Sequence, residues 1–165
     1  MANARISKGF TLIEVMLATV ILVVGLVGLL GTFIMCFNAN ETAKNVTVAG
    51  NAAQRQIETI RNYSFTNISN TGTDTPPGFK NTTFTVAGMP AGDSAGYVNI
   101  DDSNPDLIKV FVSVSWRQKG GRIIGEDNGR GGGIALNGRI DGTEDANGNG
   151  VLDSPAGIDM LMSKR

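Results

Sequence analysis

The sequence has no histidine and a single cysteine, Cys36. These two absences remove a Cys/His nucleophile pair, a cysteine-based zinc site and any intrachain disulfide. Charge imbalance is missing as well: 14 basic and 15 acidic residues leave a net charge of −1, which gives no footprint for nucleic-acid binding. The largest gap is local, because no charged residue occurs between Val15 and Phe37. A run of that length is enough to cross the ~30 Å hydrocarbon core of a bilayer as a helix. Cys36 lies within it, where inert packing outweighs a lipidation or redox role.

One carboxylate, Glu14, stands at the head of the run. Ionised at membrane depth, it costs on the order of 2.5 kcal/mol or more, so it needs a partner or a position near the surface to which it can snorkel. Both readings stand on the residues alone. Arg5 and Lys8 precede the apolar run, and Glu41 is the first charge beyond it. The positive-inside bias therefore puts the N-terminus in the cytoplasm and the rest outside it.

The stretch Lys8-Gly9-Phe10-Thr11-Leu12-Ile13-Glu14-Val15 resembles the processing site of type IV prepilins and of the pseudopilins of type II secretion. The resemblance covers roughly the first thirty residues. It implies a leader, residues 1–9, cleaved by a prepilin peptidase between Gly9 and Phe10, with N-methylation of the new Phe10 amine. It further implies that Glu14 pairs with the Phe10 amine of a neighbouring subunit when helices stack in a filament, an assembly ion pair. Such a pair fits the energetics, since stranding one member of a buried pair costs roughly 3–5 kcal/mol. An ordinary secretory signal is cleaved after its apolar region, whereas here the junction precedes it and the helix is retained. The implied partners are the peptidase, other pilin or pseudopilin subunits and an inner-membrane assembly platform.

Residues 10–37 read as the hydrophobic transmembrane and assembly helix. Ala39, Ala43, Val46, Ala49, Ala53, Ile57 and Ile60 then recur every three or four residues, so the helix continues over 38–62 as an amphipathic segment packing on a head. A helix from Phe10 to Asn62 would be ~80 Å long at 1.5 Å per residue. Gly25, Gly28 and Gly31 permit close helix approach or bending, or are merely tolerated in lipid. Many major pilins have proline where Gly31 stands.

Thr75-Pro76-Pro77-Gly78 marks a turn between helix and sheet. Strands are expected at 82–87 and at 107–117, where Ile108, Val110, Val112, Val114 and Trp116 form an apolar face suited to the helix. Arg122-Ile123-Ile124 adds a short strand after a turn at Lys119-Gly120-Gly121. The fold class is α+β: a long N-terminal membrane-spanning helix continuing into a small head, residues 63–165, with an antiparallel sheet. The Val-x-Val-x-Trp strand ending, the anchor from Leu12 to Gly31 and Gln56-Ile57-Glu58-Thr59-Ile60-Arg61 are similar to PilV-type minor pilins. A C-terminal cysteine pair found in many pilins is lacking.

Asp145, Asn147, Asn149 and Asp153 have the one-three-five-nine spacing of a calcium loop, with Gly150 at the turn and the Val151 carbonyl as a further ligand. Ala156 occupies the place of the usual bidentate glutamate, and Asp159 or Asp141 could close the shell. The other reading is a solvated Asn/Gly/Asp loop. Bound calcium would be structural, pinning a glycine-rich tail without hydrophobic anchors. Gly129-Arg130-Gly131-Gly132-Gly133 lacks the Gly-Lys-Ser/Thr ending of a P-loop and reads as a connector. The Asn-x-Ser/Thr sequons at Asn40, Asn45, Asn67 and Asn81 carry no weight beside a prepilin leader. With no nucleophile-base pair or catalytic metal cluster, an enzyme is a distant third behind a filament subunit and a membrane-tethered, calcium-stabilised binding module.

Overall fold

A computed structural model describes residues 9–126, 136–141, 143–145, 148 and 152–164. The elements run α1 (Leu12–Arg61), α2 (Phe65–Ile68), β1 (Thr82–Phe84), β2 (Ser94–Asn104), β3 (Leu107–Arg117), β4 (Ile123–Ile124) and β5 (Gly157–Ser163). The architecture is the expected α+β one, a long N-terminal helix followed by a head with an antiparallel sheet. Two units divide the chain, Met1–Asn40 and Glu41–Arg165.

In the first unit every described residue is exposed, and the most apolar 18-residue stretch of the helix has mean hydropathy 2.7. Two of its polar side chains are satisfied locally. The hydroxyls of Thr19 and Thr32 donate to the carbonyls of Met16 (2.8 Å) and Gly28 (3.0 Å), which removes the cost of carrying an unpaired hydroxyl into lipid. Space beside Gly25, Gly28 and Gly31 is open.

The second unit is built around β3. The strict alternation of that strand puts Ile108, Val110, Val112, Val114 and Trp116 on one face, and all five are buried. They pack in one core with Ala49, Ala53, Ile57 and Ile60 from α1, so the strand's apolar face meets the helix as its pattern implies. Burial on the helix begins later than its sequence periodicity suggests: Ala43 and Val46 are exposed, and the first buried position is Ala49. Ala39, in the first unit, is exposed as well.

The sheet order is β1-β2-β3-β4, all pairings antiparallel, with β5 also bound to β3. β2 and β3 form a long hairpin in register from Ser94↔Trp116 to Asn104↔Leu107, interrupted by an irregularity between Asp101 and Asn104. β5 pairs from Leu107↔Ser163 to Ser113↔Gly157 and places Ile158, Met160 and Met162 against the core. This corrects the expectation of a C-terminal tail without hydrophobic anchors; Leu152 and Ala156 are buried too. The first strand is shorter than expected, ending at Phe84 rather than at Ala87. Asp74 and Gly78 shape the connection from helix to sheet. The Thr71 amide (2.5 Å) and then the Thr71 hydroxyl (2.8 Å) donate to the Asp74 carboxylate and hold its pKa below the ordinary value. A Cβ on Gly78 would stand 2.1 Å from the Asn70 carbonyl oxygen, so only glycine fits there.

Candidate functional site

At the start of α1, Thr11 caps the helix. The Glu14 amide donates to the Thr11 hydroxyl (3.3 Å) and carbonyl (3.1 Å), and the Val15 amide also donates to that carbonyl (3.3 Å). Thr11-x-x-Glu14 is thus the sequence pattern of a capping box, with the carboxylate at the positive end of the helix dipole. Gly9 precedes the helix in open space, and Phe10 is 83% exposed. Phe10 and Glu14 line the same groove, about 320 Å³, whose other walls are Val15, Ala18, Thr19 and Leu22. A carboxylate and the residue that cleavage would leave N-terminal therefore stand on one apolar surface of the anchor.

In the head, the sheet face away from α1 carries Tyr97, Ser113 and Ser115, all buried. What covers it is a loop segment rather than an element. Gly125 lies against Ser154 and Ser115, Gly138 lies against Thr83 and Tyr97, and the Ser154 hydroxyl donates to the Val114 carbonyl (2.5 Å). Glu126 organises this cover. Its carboxylate accepts the amides of Asn137 (3.1 Å) and Gly138 (2.9 Å), and Gly138 takes a φ of +70° that suits glycine. Burial pushes the Glu126 pKa up, opposed by these amides, that of Leu136, and the Ser115 hydroxyl, which faces the carboxylate without reaching hydrogen-bond geometry. Next to it, the Asn137 carboxamide donates to Asp141 (2.7 Å), and the Asp141 amide donates to the buried Glu144 carboxylate (2.9 Å).

Of the residues with calcium-loop spacing, Asp145 is half-buried and Asp153 exposed, while Asn147, Asn149 and Val151 lie outside the described residues, as does the Gly129–Gly133 segment. The Asp153 amide donates to the Glu144 carbonyl (3.2 Å), which draws the two ends of the loop together. Among the described residues no group of three or more His, Cys, Asp or Glu side chains is placed to hold a metal ion.

Residues 4–30 match the family model of the prokaryotic N-terminal methylation motif. The match supports a type IV prepilin-like protein. No curated protein and no solved structure matches the chain. For a prepilin-like chain the motif implies processing by prepilin peptidase and assembly with other pilin subunits, and with the apolar helix it supports membrane anchoring. It also supports a structural role of the pilin or pseudopilin kind.

Sequence reasoning found Glu14 in this prepilin-like segment but not its second setting, the capping pattern with Thr11, although the Thr-x-x-Glu signal was in plain view. Glu126 and Glu144 had no such signal. They stand among glycines and polar residues, and only the folded path of the loop buries them.

Proposed function

We propose that this chain is a filament subunit of the minor pilin type, inserted in the bacterial inner membrane as a single-pass protein with its leader cytoplasmic and its head periplasmic. After cleavage at Gly9-Phe10 and methylation of Phe10, the subunit leaves the membrane through its helix and takes part in assembling or modifying a type IV pilus-like filament. The observation that carries this reading is the groove shared by Phe10 and Glu14 on an exposed apolar helix. In the filament the Glu14 carboxylate meets the methylated Phe10 amine of a neighbour, which relieves the cost of removing both charges from water. The PilV-like strand ending and anchor favour a pilus over a secretion piston. A minor pseudopilin of type II secretion is the second reading, because the motif and groove serve it equally.

Mass spectrometry of sheared surface filaments tests the proposal. A mature chain that begins with methylated Phe10, at low stoichiometry beside a main subunit, is the expected result. An intact Met1–Gly9 segment in the mature protein overturns it. Periplasmic retention of the processed chain, with no surface form, selects the pseudopilin.

Calcium belongs to the same proposal as a structural ion of the head, held by Asp145, Asn147, Asn149, Asp153 and the Val151 carbonyl. Its support is the ligand spacing and the closed neck at Glu144 and Asp153. The ion would fasten the loop whose other end is held by Glu126, and it has no catalytic part.

A further inference from the structure

The chain contains four Asn-Gly steps, at Asn128, Asn137, Asn147 and Asn149. In any such step the glycine nitrogen lies within reach of the asparagine carboxamide carbon, and no side chain on the glycine obstructs closure of a five-membered ring. The reaction is normally slow for two reasons. An amide nitrogen is a poor nucleophile until it gives up its proton, and a carboxamide is a poor electrophile until its oxygen is polarised.

At Asn137-Gly138 the fold supplies a group for each need. The nucleophile's proton points at a carboxylate: the Gly138 N–H donates to Glu126 Oε1 at 2.9 Å. The electrophile's oxygen is polarised, because the Arg139 N–H donates to Asn137 Oδ1 at 2.6 Å, where charge gathers as the carbon becomes tetrahedral. The leaving nitrogen is held as well, with Asn137 Nδ2 donating to Asp141 Oδ2 at 2.7 Å. Base, polarising donor and leaving-group contact thus converge on one dipeptide, and they fix the carboxamide's orientation before any reaction begins.

We propose that Asn137-Gly138 is a self-modification site, at which Glu126 serves as general base for conversion of Asn137 through a succinimide to aspartate or isoaspartate. The Gly138 nitrogen bonds to Asn137 Cγ as its proton passes to Glu126. The Cγ–Nδ2 bond then breaks, and the departing nitrogen recovers that proton and leaves as ammonia. Water subsequently opens the ring at either carbonyl, and no electrons are gained or lost overall. Burial of Glu126 makes its carboxylate a stronger base than an exposed one. The product places a new carboxylate between Glu126 and Asp141, which loosens the amide clamp on the loop by like-charge repulsion; opening at the other carbonyl also lengthens the backbone. The modification would therefore act as an age mark on the sheet's loop-built cover.

The same bond from Gly138 to Glu126 would do the opposite if it only locked the backbone, and that contrast provides the test. Full-length protein in detergent is incubated at neutral pH, folded and in denaturant, and peptide mapping by mass spectrometry follows ammonia loss and amide-to-acid conversion at all four steps. Asn137 should convert in the folded chain roughly a hundredfold faster than in the unfolded chain, the scale of a positioned general base. Glu126→Gln should abolish that advantage. A folded rate equal to or below the unfolded one overturns the proposal, as does an unchanged rate in a folded Glu126→Gln variant. If that variant does not fold, the comparison of folded and unfolded wild-type chains decides alone.

Discussion

At the scale of single residues, Glu14 stands in two settings that different substitutions separate. As the fourth residue of the Thr11 capping pattern it stands at the start of α1, and its side chain also lines the apolar groove shared with Phe10, where the proposed assembly ion pair would form. Thr11→Ala should cost about 1 kcal/mol of local helix stability and leave filament incorporation largely intact. Glu14→Gln keeps a residue suited to the capping box but removes the charge. Membrane insertion and cleavage should persist while incorporation into sheared filaments is lost; normal incorporation would defeat the ion-pair reading. Glu126 supports a prediction in pH. Its folded pKa lies above the ordinary 4.5, so folding favours the protonated form. The stability this group contributes is fully present below about the ordinary value and is lost as pH rises through the folded one. The melting temperature of wild type relative to Glu126→Gln should therefore be most favourable in acid and decline toward neutrality. A difference that is flat with pH would show that the carboxylate is not buried as described.

Among elements, legibility tracks the regularity of side-chain patterning. β3 could be read from sequence because its alternation is unbroken over eleven residues and one of its faces is wholly apolar. Ser113 and Ser115 lie on the opposite, polar face of that strand, yet both are buried, because the covering segment comes from distant parts of the chain that no local pattern announces. β2 was hidden by composition. Gly96 interrupts its core face, where the Phe84 ring crowds the glycine so closely that an added Cβ would stand 2.3 Å from it, and Asp101, Asp102 and Ser103 resemble a loop. β5 is a half-buried edge with two methionines and an aspartate, a weak strand signal that gains meaning only from pairing with β3. The N-terminal methylation motif was legible for another reason: its signal is a short contiguous stretch and needs no folding. Trp116 joins the end of β3 to the core and is 1% exposed. Trp116→Ala should destabilise the head by about 3–5 kcal/mol, measured by denaturant unfolding. A loss under 1 kcal/mol would mean that the core does not depend on it.

For the whole molecule, the two units answer to different surroundings. The first buries nothing of its own and depends on lipid or neighbouring subunits to cover it; the second holds a core. If calcium fastens the loop at 145–153, a chelator should lower the melting temperature of the head and added calcium should restore it, by an amount that grows with free ion concentration. An unchanged midpoint would remove the ion from the proposal. The position of β3 has a further consequence, in the time domain. Its partner β2 arrives through a short turn at Pro105-Asp106, but β5 must return across a long intervening segment. Closing that larger loop carries the greater entropic cost, so the hairpin precedes the final pairing. In the interval one flank of β3 presents bare amides and carbonyls beside the apolar face. How quickly Gly157–Ser163 comes home therefore sets how long a newly made head can pair with the wrong strand.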